Sequence, residues 1–475
     1  MAILNGTLGT RQVRVFARAE AAIVCLVGLV VVANADVALP VPRDDTGDIH
    51  WELLTGTGDY RNQYSKIGEE ADFWHPGSRE RAMSWADNDG NIWLFGGYGF
   101  SSAWEGYMGD LWKYDVAASQ WTLVAGPHRA NEPGKYSEEI LYPGVRYGSA
   151  SWSDTQGDLW LFGGWGVTSS RVSGYLNDLW RFDVSESTWE LVGGTGDYLD
   201  ESGMYNGPVL HPGSRWETTV WADGSGMVWV FGGVGYGTTG DDNYRLNDLW
   251  RFDTTTRAWS QISGSGDFQD ENSVVTGELA TPGSRNGAAG WMDGDGNLWL
   301  FGGQGYDDVL NDNEYLNDLW KYDTATMQWV MVAANNTPGS QHGVYTGATE
   351  WPGARQSGAV WVDGGYMYLF GGTGYAAAGE DGWLNDLWRY SAAGNVWEFL
   401  GGNTTIDAHG VYAGGAVQPG GRRSAVAQAV AENSVLVFGG AGFGESGGSS
   451  FLNDLLRLTL PGPPPTAAQL WGLYE

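Results

Sequence analysis

Six arginines stand in the same local sequence, Pro-Gly-x-Arg, at Arg79, Arg146, Arg215, Arg285, Arg355 and Arg422. Six aspartates recur in step behind them, at Asp110, Asp178, Asp248, Asp318, Asp386 and Asp454. A guanidinium presents a planar fork of N–H donors that meets a carboxylate two bonds at a time. Two chemistries follow from that pattern. Arginines turned outward would form a collar that grips ligand carboxylates. An arginine and an aspartate that repeat together would instead form an internal pair in every repeat, and perfect repetition suits a framework better than a ligand.

Residues that break the repeat are the better guides to binding. Trp104, Trp165, Trp216 and Trp383 fall outside the repeated tryptophan positions and are expected in or near long connections. Exposed aromatics there suit sugar rings or protein hot spots, with packing inside the loops as the alternative. The histidines His50, His75, His128, His211, His342 and His409 show neither His-x-His nor HExxH spacing, so no metal site and no cofactor are expected. Asp87-Asn88-Asp89-Gly90 and Asp293-Gly294-Asp295-Gly296 carry oxygen ligands of the calcium type, although such sequences ordinarily serve hairpin turns. Two sequons, beginning at Asn335 and Asn403, are glycan acceptors if the host glycosylates exported proteins. A net charge of -32 argues against nucleic acid, which is held by lysine and arginine.

The elements that must position these residues are short strands. The chain holds 75 Gly, 27 Trp and 23 Tyr, a composition of Gly-rich turns between strands with aromatics filling gaps between sheets. The Pro-Gly-x-Arg copies lie 67, 69, 70, 70 and 67 residues apart. In each unit an apolar strand ends in Phe-Gly-Gly, at Phe95, Phe162, Phe231, Phe301, Phe370 and Phe438. A second block follows, Leu-Asn-Asp-Leu-Trp at Leu176, Leu246, Leu316 and Leu384, with variants at Met108 and Leu452. Five units then place a tryptophan after a short turn, at Trp121, Trp189, Trp259, Trp329 and Trp397.

Strand, double glycine, second strand with an aromatic, and spaced tryptophan together resemble the kelch repeat over residues 49–460. The resemblance implies an all-β fold: a six-bladed propeller with four antiparallel strands per blade. The sixth unit lacks its last strand, while Trp51–Tyr60 nearly repeats Trp189–Tyr198. Residues 49–54 are therefore expected to complete the last blade and close the ring, removing both exposed edges. Trp471 is the competing candidate for that strand, disfavoured by the prolines before it. The first-to-second and third-to-fourth strand turns are tight. The second-to-third connections run to about a dozen residues and those between units to about twenty, lengths that are usually functional or mobile. Both kinds emerge at one end, the expected binding face. Kelch domains that bind acidic peptides often use arginines at the repeated position, which is what gives the collar reading its interest.

Residues 1–35 read as an export signal, with Arg11, Arg14 and Arg18 ahead of the apolar run Ala21–Ala33 and a small-x-small site ending at Ala35. An uncleaved signal anchor is the alternative. Cys25, the only cysteine, lies in this segment, so the mature chain has no disulfide. That also removes the cysteine–tyrosine centre on which copper oxidases of the galactose oxidase type, which resemble this fold, depend. Sialidase-type Asp boxes fail likewise, since Asn88 stands where the aspartate belongs ahead of Gly90 and Trp93. Residues 36–48 read as a linker and 461–475 as a Pro-rich tail. The leading expectation is a secreted or cell-surface module (periplasmic in a bacterium), acting as a monomer and binding a protein or glycan without catalysis. The alternative is a sugar-active enzyme resembling the kelch propellers that interconvert sialic acid anomers. A pocket-facing carboxylate beside an arginine outside the framework would favour the enzyme, and an unbroken Arg–Asp framework the binder.

Overall fold

The computed structural model describes residues 5–8, 11–14 and 49–461, apart from 57–74, 102–103, 128, 137–139, 195–199, 239–243, 265, 267–272, 275–279, 308–311, 334–341, 348, 414–415 and 446–447. The apolar run 21–33, the cleavage position at 35, the linker 36–48, His128, Asn335, Trp471 and the tail from 462 lie outside the described residues. Contacts divide the chain into Met1–Thr46 and Gly47–Glu475. In the first unit Asn5–Leu8 pairs antiparallel with Arg11–Arg14. No helix among the described residues is long and apolar enough to cross a membrane.

The second unit is all-β among the described residues and consists of antiparallel sheets. The second repeat illustrates the plan. Ala150–Ser153, Leu159–Phe162, Leu179–Asp183 and Thr188–Gly193 form a four-stranded sheet in that order. The register places Trp152 opposite Trp160, Leu161 opposite Trp180 and Phe182 opposite Trp189. Asp154 closes the first hairpin: its carboxylate accepts from the Gln156 and Asp158 amides and, at 2.8 Å, from Trp160 Nε1. Asp87 and Asp293 do the same in their units. Lys113 also reaches Asp87, so these oxygens serve the hairpins, the role such turn sequences ordinarily have. Burial alone would raise both carboxyls, but the bonds they accept hold them below the usual range.

Apolar side chains leave both faces of each sheet, and the cores accordingly lie between successive repeats. Trp85, Trp93 and Phe95 of the first pack with Leu159, Trp180 and Trp189 of the second. The pattern repeats through the chain to the last pair, where Leu436, Phe438 and Leu455 of the sixth repeat pack with Ile92, Leu94 and Trp112 of the first. In the sixth sheet, His50–Thr55 runs antiparallel to Leu455–Thr459, with Trp51 opposite Leu458.

One level of structure was not anticipated. The arginine and its successor form a two-residue strand of their own, as in Arg215–Trp216, which pairs with the residues after the double glycine, Val234–Gly235. Those pair in turn with Tyr244–Arg245. Much of each supposed loop between second and third strands is therefore a small second sheet at the long-connection end. In the fourth and fifth repeats the strands run through (Leu298–Asp307 with Asp312–Asp323, and Tyr366–Tyr375 with Asp381–Ser391), shifting register at the double glycine. Gly232 explains that glycine: its φ is +62°, and a Cβ would stand 2.6 Å from the Arg285 carbonyl oxygen of the next repeat.

Two residues behind each repeated arginine, the backbone turns left-handed, with φ between 51° and 65° at Arg81, Gly148, Glu217, Gly287, Ser357 and Ser424. Each of these amides donates to the equivalent carbonyl of the preceding repeat, and the Arg81 amide donates to Ser424 at 3.1 Å.

Candidate binding mouth

The repeated arginines stand just outside the site and hold it in shape. Arg146 donates to Asp178 through Nη1 at 2.6 Å and Nη2 at 2.7 Å, and to the carbonyls of Gly144 and Gly163. Arg79, Arg215, Arg285, Arg355 and Arg422 meet Asp110, Asp248, Asp318, Asp386 and Asp454 in the same two-bond geometry. The arginine side chains are at most 1% exposed. No fork is turned outward, so the collar has no donors to offer a ligand, and the distances are those of the internal pair. Burial alone would raise Asp178 and Asp248, yet their arginines hold them below the ordinary carboxylate range.

Two further kinds of partner add to the framework sites, a tryptophan in five repeats and a tyrosine in four. Trp112, Trp180, Trp250, Trp320 and Trp388, two residues behind the aspartates, donate Nε1 to them at 2.6–2.7 Å. Tyr136, Tyr205, Tyr345 and Tyr412 donate their hydroxyls to the same carboxylates. Burial and the adjoining carboxylates push these tyrosines well above their usual range, so they stay protonated as donors. The sequence does carry a signal for them, a tyrosine ten residues ahead of the arginine in four repeats, but it lies inside connections that read as variable loops.

The framework positions repeat, whereas the residues behind them do not. Directly after the arginines stand Glu80, Tyr147, Trp216, Asn286, Gln356 and Arg423. The small sheets align each with one residue after the double glycine and one before the third strand. Around the repeats the triplets read Glu80–Tyr98–Tyr107, Tyr147–Trp165–Tyr175, Trp216–Val234–Arg245, Asn286–Gln304–Tyr315, Gln356–Thr373–Trp383 and Arg423–Ala441–Phe451. Facing residues in a pair share one side of a sheet. Fixed backbone with varied side chains is how a scaffold supports a specific surface.

A polar network links the triplets. Arg81, in its left-handed turn, reaches past Gly148 to form an ion pair with Glu217 through Nε, and donates to Glu80 at 3.2 Å. Arg423 donates to the other Glu80 oxygen at 3.1 Å. Asn286 donates to Glu217 at 2.7 Å and accepts from Arg245 at 2.7 Å. The Arg81 guanidinium lies 5.1 Å from the Trp216 ring and 5.7 Å from Tyr147, a cation–π arrangement. Burial would lower Arg81, but Glu217 and Glu80 outweigh it and hold the charge more firmly than usual.

Three of the four tryptophans singled out from the sequence meet here. Trp216 takes part in the network, Trp165 packs on Tyr175 at 4.7 Å, and Trp383 lies under Arg423 and against Phe443. Trp104 stands apart, 77% exposed in its own connection. Asn403 is half-buried, and its backbone amide donates to Asn385. His75 and His211 each donate from Nδ1 to the carbonyl of the following proline. Among the described residues no group of three His, Cys, Asp or Glu is placed to hold a metal ion. What the sequence reading missed were Glu80, Arg81, Glu217, Asn286 and Arg423, hidden immediately behind the repeated arginines.

Known proteins share this plan. The family model described as the KLHDC2/KLHL20/DRC7 Kelch-repeats domain matches residues 269–460. Kelch domain-containing protein 3 of Rattus norvegicus is 24% identical over 316 residues, covering 65% of this chain and 66% of that protein. Multiple epidermal growth factor-like domains protein 8 of Mus musculus is 27% identical over 215 residues, covering 45% of this chain. This chain spans only 6% of the length of that protein. With the six in-phase repeats, these matches support a kelch-repeat family for the chain, and its antiparallel four-stranded sheets are consistent with a kelch β-propeller.

Proposed function

We propose that the chain is an exported, non-catalytic scaffold: a six-bladed propeller, closed by its N-terminal strand, that holds a protein or glycan at the mouth where the long connections emerge. Closure is supported by the core shared between the sixth and first repeats, by the amide of Arg81 meeting the carbonyl of Ser424, and by His50–Thr55 on the sixth sheet. Export rests on the leader in the sequence.

One observation carries the binding reading. The mouth positions directly behind the six arginines are occupied by six different residue types, while the arginines and aspartates of the framework themselves repeat. Variation confined to one ring of a rigid frame is what a specific ligand site needs. The sugar-active alternative gains a point from Glu80 and Glu217, carboxylates beside arginines outside the framework. Both, however, are already engaged, Glu80 by Arg81 and Arg423 and Glu217 by Arg81 and Asn286.

The test is a screen of the full chain on peptide and glycan arrays, repeated with Tyr147, Trp216 and Gln356 changed to alanine. Binding by the parent that the triple variant loses supports the mouth. Binding that persists in the variant, or turnover of a sugar anomer by the parent, rejects the proposal.

A further inference from the structure

Resting on the mouth as the ligand site, we infer that it takes a neutral, hydroxyl-rich ring, a pyranose sugar or short neutral saccharide. The two walls of the mouth differ. On one side five aromatic rings run in contact, from Phe451 to Tyr98 (5.6 Å), Tyr107 (5.3 Å), Tyr147 (5.5 Å, stacked) and Trp216 (5.1 Å). The fourth and fifth repeats contribute the amides and hydroxyl of Asn286, Gln304, Gln356 and Thr373 beside the rings of Tyr315 and Trp383. A saccharide ring has the same two aspects, an apolar C–H face for aromatics and an edge of hydroxyls for amides.

The charges of Arg81, Arg423, Glu80 and Glu217 are already engaged with one another. An anion would have to take Arg81 or Arg423 away from Glu80 and Glu217, and a cation would have to displace those arginines. A neutral ligand leaves the network intact and loses no buried ion pair.

Hydrogen-bonding capacity is left over in the same place. Trp165 Nε1, Trp216 Nε1, Thr218 Oγ1, Thr373 Oγ1 and Ser424 Oγ are buried without a partner, and Thr373 as a whole is only 7% exposed. Buried polar atoms of this kind ordinarily have a partner. These five come from the second, third, fifth and sixth repeats and are enclosed, so a ligand meets them only as the side chains over them shift. A compact ring with hydroxyls on several sides, each able to donate or accept, suits groups spread over four repeats. An extended peptide presents its groups along one direction and meets fewer.

The probes are methyl glycosides of glucose, galactose, mannose and N-acetylglucosamine, free and coupled to albumin. Sialic acid, glucuronate and neutral tetrapeptides serve as competitors. Saturation-transfer NMR with the full chain reads which ligand protons touch the protein. The expected result is transfer to the ring C–H protons of a neutral glycoside, weakened about tenfold by Thr373→Val and by Trp216→Ala, as for one lost interaction, and unchanged by Trp104→Ala. Binding of only the albumin-coupled form assigns the same chemistry to the end of a glycan. Preference for sialic acid or glucuronate overturns the inference. Binding of peptides with no response to any glycoside also overturns it, leaving the scaffold reading standing. If neither glycosides nor the array peptides bind, the scaffold reading falls with it.

Discussion

Replacing Arg215 by methionine probes the framework at its most enclosed point. Arg215 and Asp248 are both 0% exposed. The arginine donates to Asp248 at 2.7 and 2.8 Å and to the carbonyls of Gly213 and Gly232. Methionine retains much of the volume but leaves the carboxylate with only the Tyr205 hydroxyl and Trp250 Nε1. Removing one partner of a buried, hydrogen-bonded pair costs about 3–5 kcal/mol, because an uncompensated charge stays behind. That is a large share of the 5–15 kcal/mol typical of a folded domain (about two fifths at the midpoints). The deficit carries a pH signature. In the parent, Asp248 lies below its ordinary range, so its contribution is present above about pH 4 and is lost as pH falls through the folded value. In the variant the stranded carboxyl rises above its unfolded value and folds best when protonated. The gap between parent and variant should therefore be widest near pH 7 and narrow toward pH 4. Urea unfolding followed by tryptophan fluorescence at both pH values measures it. A deficit under about 1 kcal/mol at pH 7, or one that does not change with pH, would refute the reasoning.

Tyr205→Phe removes one neutral donor from the same carboxylate and should cost about 1 kcal/mol in the same urea experiment; no change would mean that the hydroxyl is dispensable. Gly232→Ala places a Cβ against the Arg285 carbonyl at a φ of +62° and should lose more than about 1 kcal/mol, read as a lower melting temperature. Removing residues 1–56 leaves the outer edge of Leu455–Thr459 unpaired. Concentration-dependent association in gel filtration is the expected outcome, and a stable monomer would count against the closing role of His50–Thr55.

The repeat was legible because each framework residue is dictated by its own surroundings. Phe-Gly-Gly marks a strand end where backbones of adjacent repeats touch, and the Leu-Trp pair of the third strand marks burial on both faces. The arginine–aspartate pairing was readable for the same reason, since both members keep one phase. The small second sheets were not. Their first strands are two residues long, and sequences such as Arg215-Trp216 or Arg285-Asn286 carry no alternation that could announce a strand. The mouth escaped with them: Arg81 and Glu217 come from the first and third repeats and pair beside Gly148, where a Cβ would stand 3.1 Å from the Trp216 ring. Trp216 was found from the sequence since a tryptophan out of phase is conspicuous, whereas Glu80 and Asn286 look like ordinary surface residues although both are buried.

A fixed frame and a variable mouth are separate parts of this fold. Binding and melting temperature should be measured side by side on the full chain, on Arg285→Met and on the double variant Trp216→Ala/Gln356→Ala, using whichever array ligand the parent retains. The frame variant should melt lower than the parent, while the mouth variant should melt within a degree or two of it and lose the ligand. A mouth variant that binds as the parent does, or that loses as much stability as Arg285→Met, would contradict the separation.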